Sequence, residues 1–232
     1  MTAAPELAVP AGGLVVFDFD HTIYRGDSGT GLISWMLRRN PLRLTIALLV
    51  GPLVAPLFLW QSSRRLAISF FLWIATFGLH RRGDLDALIA RYVVVRADAL
   101  RARLLPAALE MLGAHRSAGD AVVVATGTSP ALASAILGFV AHADVAVVGS
   151  RSESFLGGMT TVHHCHGENK LRMLREAGFD APIVRAYSDS TADLPLLRAA
   201  REPVVVNPRP HRVAVFRRAL GNAVPVLDWG GR

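Results

Sequence analysis

Leu14-Val15-Val16-Phe17-Asp18-Phe19-Asp20-His21-Thr22 decides how this chain is read. Four apolar residues follow Gly12-Gly13 and stop at an aspartate. A continuous apolar run without polar alternation is the pattern of a strand covered on both faces, as in parallel sheets. The strand then ends in two carboxylates and a hydroxyl.

Four similar runs lie further along: Ala121-Val122-Val123-Val124-Ala125, Val145-Ala146-Val147-Val148, Ile183-Val184-Arg185-Ala186-Tyr187 and Val204-Val205-Val206. Helical patterns stand between and after them, over 107–118, 130–140, 170–177, 194–200 and 212–220. Strands alternating with helices predict an α/β fold: a Rossmann-like parallel sheet with helices on both faces. In such sheets chemistry lies beyond the carboxyl ends of the strands.

Between the first strand and the second lie about a hundred residues with no strand signal. Residues 28–104 are therefore expected to form an inserted all-helical cap. The core would comprise 13–27 and 105–232, and 1–12 a flexible tail. The later half of the insertion, from Asp84 to Arg103, is expected to be one long amphipathic helix with aspartates in its first turn. The earlier half is apolar. Residues 44–60 read LTIALLVGPLVAPLFLW, and a second apolar run covers 66–79.

The chain of 232 residues is 52% apolar and 19% charged, with a formal charge of +7. From Ser28 to Gly83 there is no Asp or Glu, while Arg38, Arg39, Arg43, Arg64, Arg65, Arg81 and Arg82 all fall there. Removing those seven leaves 18 basic residues against 18 acidic ones. The excess charge thus sits beside the apolar runs, which points to an anionic membrane surface rather than nucleic acid. Cys165 is the single cysteine, so no intrachain disulfide forms. The opening residues carry no basic segment followed by an apolar run, so no secretion signal is expected.

Polar residues follow three of the strands: Asp18-Phe19-Asp20-His21-Thr22, Thr126-Gly127-Thr128 and Ser188-Asp189-Ser190-Thr191-Ala192-Asp193. A fourth feature, Lys170 in His166-Gly167-Glu168-Asn169-Lys170, opens a helix. Crowded carboxylates call for a hard cation, and an all-oxygen set suits magnesium shared with a phosphate. A lysine and a hydroxyl beside it would neutralise a transferring phosphoryl group. Gly127 admits close backbone approach, and Pro130 suits the first turn of a helix whose amides face an anion. A carboxylate can itself be the nucleophile.

In this order the four features resemble the motifs of the haloacid-dehalogenase superfamily of phosphatases. The resemblance implies that Asp18 is the nucleophile and Asp20 the general acid and base. It implies that Thr126, Gly127 and Lys170 hold the phosphoryl group. It also implies that Asp18, the Asp20 carbonyl and Asp189 bind Mg2+, with Asp193 in support. The insertion after the first motif is similar to the cap of the phosphoserine-phosphatase-like subgroup. Leu37-Arg38-Arg39-Asn40-Pro41-Leu42, Leu72-Trp73-Ile74-Ala75-Thr76-Phe77-Gly78 and Asp193-Leu194-Pro195-Leu196-Leu197 further resemble the phosphatidylglycerophosphatase C family. That likeness implies hydrolysis of phosphatidylglycerophosphate to phosphatidylglycerol, an anionic phospholipid substrate, and a place at the bacterial cytoplasmic membrane with the catalytic domain inside.

The motif residues before and after the insertion must meet on one side of any membrane, so the number of crossings is even. Two crossings would carry Arg64 and Arg65 to the far side, against the positive-inside tendency. A shallow hairpin over about 44–79, lying in the interface, avoids this. Two true spans and a cap buried in a dimer stay open. Arg38, Arg39, Arg64 and Arg65 are candidate substrate contacts, together with Asp27, whose simpler role is to cap the first cap helix. Trp60 and Trp73, at the ends of apolar runs, suit a lipid interface or a core. His21 reads as a tolerated variant within its motif. His163-His164-Cys165-His166 alternates faces and cannot close a tetrahedral metal site. Two rival functions stand beside the lipid phosphatase: a phosphatase of a soluble phosphomonoester, and a membrane-bound module without catalysis.

Overall fold

The computed structural model describes residues 13–231, except Leu59, Trp60, His80, Ala141, Ala143 and the side chains of Phe58, Gln61, Ser62, Arg64 and Arg82. The expectations for the tail over 1–12, for Trp60 and for the Arg64 side chain lie outside the described residues.

Strand β1 (Leu14–Phe17) is wholly buried. Its alternate residues feed two cores. Val15 and Phe17 join one cluster with Leu112, Leu132 and Tyr187, while Leu14 and Val16 join another with Met173, Leu196 and Phe216. Burial on both faces is why the strand reads as an unbroken apolar run.

After β1 come α1 (Ser28–Arg38), α2 (Pro41–Val54), a 3-10 turn over Ala55–Phe58, α3 (Gln61–Thr76), α4 (Arg82–Val95) and α5 (Ala97–Arg101). Asp27 caps α1, its carboxylate accepting from Thr30 N at 2.7 Å. Asn40 caps α2 by accepting from Arg43 N, and Pro41 occupies the first turn. The expected single helix over 84–103 is two helices. The backbone leaves the helical region at Arg96 (φ −112°, ψ 15°), directly after Val93-Val94-Val95, whose β-branched side chains weaken a helix.

As far as Phe58, the apolar run over 44–60 lies in α2 and the 3-10 turn. Among the described residues no helix is long and apolar enough to cross a membrane. Ala47 is the one fully buried residue of α2, whereas Leu42, Leu48, Leu49 and Leu53 are 68–80% exposed. The second apolar run is different. Leu72, Ile74 and Ala75 of α3 pack inside the cap, together with Ile33 and Met36 of α1 and Ile89 of α4.

The chain continues through α6 (Pro106–Ser117), β2 (Ala121–Thr126), α7 (Pro130–Leu137) and β3 (Ala146–Gly149). Then β4 (Arg151–Phe155) and β5 (Gly158–His163) form an antiparallel hairpin that the sequence did not announce. Leu156 (φ 44°) and Gly157 (φ 80°) occupy its turn, both in the left-handed region that a tight hairpin requires. β4 is polar and largely exposed, and β5 buries only Gly158 and Met159 at its start, so no period-2 pattern marks them. The hairpin packs on α3. Met159 N donates to Thr76 Oγ1 at 2.8 Å, Trp73 Nε1 donates to Phe155 O at 2.9 Å, and Gly78 N donates to Gly157 O. A Cβ on Gly158 would lie 2.8 Å from the Trp73 carbonyl oxygen and 2.7 Å from its ring. Trp73 therefore anchors the hairpin.

The last elements are α8 (Glu168–Glu176), β6 (Ile183–Ser188), α9 (Leu194–Ala199), β7 (Glu202–Val206), α10 (Val213–Leu220) and β8 (Val226–Leu227). The six-stranded sheet has the order β3-β2-β1-β6-β7-β8 and every pair is parallel. The connections run one way from β1 to β3 and the other way from β6 to β8, so β1 and β6 flank the switch point.

A buried polar chain closes the opposite end of the sheet. His115 Nδ1 lies 2.7 Å from Asp120 Oδ2, His115 Nε2 lies 2.8 Å from the Tyr187 hydroxyl, and Asp120 Oδ1 accepts from Gly13 N at 3.0 Å.

Candidate active site

Because the sheet is parallel, Asp18, Thr126, Ser188 and Asn207 fall at one edge. Asp18 N donates to Tyr187 O at 2.9 Å, which holds the end of β1 against β6. A cavity of about 290 Å³ opens at this edge, under α1 and α3. Asp18, Asp20, Gly127, Lys170, Asp189 and Asp193 all line it.

Lys170 reaches the cavity from the first turn of α8 with its side chain fully enclosed. Its ammonium lies 2.6 Å from Asp18 Oδ1 and 2.7 Å from Asp193 Oδ2. Burial by itself would lower the Lys170 pKa, but Asp18 and Asp193 outweigh it and hold the amine above its ordinary range. The Asp18 carboxyl is pushed up to about 6, chiefly by burial; Lys170 opposes the rise and Asp193 adds to it. Ser188 Oγ donates to Asp193 Oδ2 at 2.7 Å, which fixes Asp193 for Lys170. The buried Asp193 Oδ1 accepts no hydrogen bond from the described residues.

Asp20 sits one turn further on. Its Oδ1 accepts from Ser28 N at 2.8 Å, so it reaches the N-terminus of α1 beside Asp27. Burial, and then the charge of Asp27, push its carboxyl well above the usual range, against the pull of the Ser28 amide. Asp27 therefore both caps α1 and lines the cavity.

Thr126 is fully buried at the end of β2, and its hydroxyl accepts from Thr128 N at 3.1 Å. Gly127 and Thr128 are the residues of this loop that face the cavity. His21, in the left-handed region (φ 61°), also lines it; its carbonyl accepts from Asn207 Nδ2 at 2.7 Å.

The four arginines singled out in the cap part company. Arg65, on α3, lines the cavity, and its buried Nε has no hydrogen-bond partner among the described residues. Arg38 and Arg39 do not reach it. They lie at the C-terminal end of α1 and line a different cavity, because one helix spans the distance between its capped start at Asp27 and this far end. Arg209 and Arg212, which sequence reasoning missed, line the active-site cavity from the loop after β7. The available signal was their place just beyond a parallel strand. His164 and His166 line the cavity too, whereas Cys165 turns inward and is fully buried. Ser69 Oγ stands 3.5 Å from His164 Nε2.

Magnesium is tested by the donor set. Asp18 and Asp189 offer carboxylates and Asp20 a backbone carbonyl around one cavity, all hard oxygens. Among the described residues no three His, Cys, Asp or Glu side chains form a ready-made cage. Two side chains with a carbonyl and several waters is the mode magnesium favours, so the residues fit it.

A family model of haloacid dehalogenase-like hydrolases matches residues 15–198. The chain belongs to that family. The match begins inside β1 and ends in α9, so it takes in the edge just described. The hydrolase is similar in sequence to a Streptomyces azureus protein named for inhibition of morphological differentiation, with 33% identity over 129 residues. That match covers 53% of this chain and 45% of the Streptomyces protein, so about half of each is compared.

Solved structures share the fold. A protein of unknown function from Bordetella pertussis Tohama I has a TM-score of 0.72 at 22% identity, over 95% of this chain and 100% of that one. A phosphoserine phosphohydrolase-like protein from Francisella tularensis subsp. tularensis SCHU S4 has a TM-score of 0.57 at 15% identity, over 93% and 94%. A phospho-aspartyl intermediate analogue of phosphoserine phosphatase has a TM-score of 0.56 at 14% identity, over 95% and 94%. These identities speak for the fold of the hydrolase and not for its substrate.

Proposed function

We propose that this hydrolase removes the phosphoryl group from a phosphomonoester through an aspartyl-phosphate on Asp18. The observation that carries the reading is Lys170 held between Asp18 and Asp193 at the sheet edge, with Asp20 one turn away. In the first half, an Asp18 oxygen bonds to phosphorus, the ester P–O bond breaks, and the leaving oxygen takes the Asp20 proton. In the second half, Asp20 takes a proton from water, whose oxygen attacks phosphorus and frees phosphate and the Asp18 carboxylate. An Asp20 carboxyl raised by burial suits the donor role near neutral pH. Lys170 and the Gly127–Thr128 backbone would hold the phosphoryl oxygens, while Thr126, enclosed behind them, braces that loop by accepting from Thr128 N. Asp18, Asp189 and the Asp20 carbonyl would hold Mg2+, with Asp193 in support, and the ion supplies positive charge against those oxygens.

The remaining wall supports a substrate class. Arg65, Arg209 and Arg212 offer three guanidinium groups and Asp27 one carboxylate. That set suits a small phosphoester with a second anionic group and a cationic or hydroxyl group, as in phosphoserine. The resemblance of the fold to phosphoserine phosphatases supports the same class. A second reading keeps phosphatidylglycerophosphate and the cytoplasmic membrane surface as partners. It is favoured by the exposed leucines of α2, which lie beside the basic end of α1.

The test is phosphate release from phosphoserine against micellar phosphatidylglycerophosphate, with Asp18→Asn as control. Turnover of phosphoserine alone supports the first reading, and turnover of the lipid alone replaces it with the second. Full activity in Asp18→Asn would overturn the aspartyl-phosphate route itself.

A further inference from the structure

A second cavity, also of about 290 Å³, lies between α1 and the α4–α5 pair, away from the catalytic residues. Helical spacing builds it. Ser34, Trp35 and Arg38 stand on one side of α1, and Tyr92, Arg96 and Ala99 follow one another at three- and four-residue steps on the other wall. The break at Arg96 turns that residue into the cleft instead of continuing α4. Arg103 and Tyr24 close the end nearest the catalytic loop.

Its lining carries Arg38, Arg39, Arg96 and Arg103 and no carboxylate. Among the described residues none of the four forms an ion pair. Arg39 lies over the Trp35 ring at 4.8 Å, and the Trp35 and Tyr92 rings are 5.3 Å apart. Tyr92 Oη packs so close to α1 that a Cβ on Gly31 would lie 3.1 Å from it. The result is an aromatic floor with guanidinium groups around it. Four like charges around one cleft favour an anion between them, and guanidinium forks match phosphate oxygens in pairs; Arg103 also donates to Arg25 O at 3.5 Å.

The geometry points to a second anion site here, which takes a phosphate group. The source is a free phosphate or the headgroup phosphate of an anionic lipid; both present the same oxygens. The site is coupled through the backbone to the catalytic loop. Tyr24 pairs with Asp20 and with Leu104 as isolated bridges, and Arg25 N donates to Arg103 O at 2.7 Å. A phosphate bridging Arg38 and Arg103 therefore ties α1 to the segment that packs against the Asp20 loop. This inference does not rest on the proposed reaction.

Titration of the Asp18→Asn protein with inorganic phosphate, followed by the arginine side-chain NMR signals, tests it at constant ionic strength set with chloride. Saturable shifts are expected, and Arg38→Gln with Arg96→Gln should weaken binding at least tenfold. Both side chains are exposed, and an unchanged circular dichroism spectrum confirms the fold of the variant. Phosphatidylglycerol vesicles against phosphatidylcholine vesicles form the second arm. Vesicle binding lost in the same double variant, with no response to inorganic phosphate, assigns the site to a headgroup. Equal response to chloride, or binding of phosphate and vesicles that is indifferent to the two substitutions, overturns the proposal.

Discussion

Lys170 and Asp18 are 152 residues apart in sequence and 2.6 Å apart in space, and both are buried. The lysine also bonds Asp193, so one ammonium offsets two carboxylates in a site largely closed to water. Lys170→Met leaves both carboxylates buried without their partner. Removing one member of a buried pair costs roughly 3–5 kcal/mol. The metal-free variant should show a urea midpoint lowered accordingly, and with Mg2+ supplied its kcat/KM should be reduced about 10²–10³-fold.

Asp20→Asn removes the proton donor while keeping the shape. For an alkyl phosphate the expected loss in kcat is about 10²–10⁴-fold. A phosphate ester with a readily departing phenolate needs less protonation, so its loss should be smaller. Equal losses on the two substrates would show that Asp20 does not protonate the leaving oxygen.

Removal of divalent cations by a chelator should abolish turnover, and added Mg2+ should restore it. The same addition should raise the thermal midpoint, because Asp18 and Asp189 then share a cation instead of repelling each other. A midpoint indifferent to magnesium would deny that these oxygens form the cation site.

His115 sets a pH dependence of stability. Burial holds its pKa below the ordinary 6.5, although Asp120 pulls the other way. The folded state therefore resists protonation while the unfolded chain accepts it, so stability falls as pH drops below about 6.5, by up to ~1.4 kcal/mol per unit. Asp18 works in the opposite sense. Its raised carboxyl contributes stability below about pH 4 that is lost as pH rises through about 6. Urea unfolding of the wild type and His115→Gln between pH 5 and 8 separates the two. The difference between the curves should shrink as the pH falls.

Gly158→Ala would place a methyl group 2.8 Å from a backbone oxygen that cannot rotate away. Overpacking of this kind costs about 1–3 kcal/mol. Urea unfolding should show the destabilisation, and the amide of Met159 should lose protection from hydrogen exchange as its bond to Thr76 loosens.

The core of the fold was legible because each central strand is buried on both faces and so is written as an apolar run; β1 is the clearest case. The four motif positions were legible because a parallel sheet delivers strand ends to one edge, and the structure brings Asp18, Lys170, Asp189 and Asp193 to one cavity. The β4–β5 hairpin was not legible, since Arg151-Ser152-Glu153-Ser154 faces water on both sides and only Gly157-Gly158 hints at a turn. Arg38 and Arg65 look alike in sequence, yet they line different cavities. Their separation depends on which end of a helix meets the sheet edge, and local composition does not carry that.

A cap joined to its core by two connecting segments alone can swing like a door. Here Thr76, Trp73 and Gly78 also fasten it to the hairpin that leaves the end of β3. The door has a third hinge off the line of the other two. Swinging then means bending the hairpin or breaking its bonds. A cap latched in this way would make the cavity beneath it, about 290 Å³, a fixed measure of the leaving group it admits.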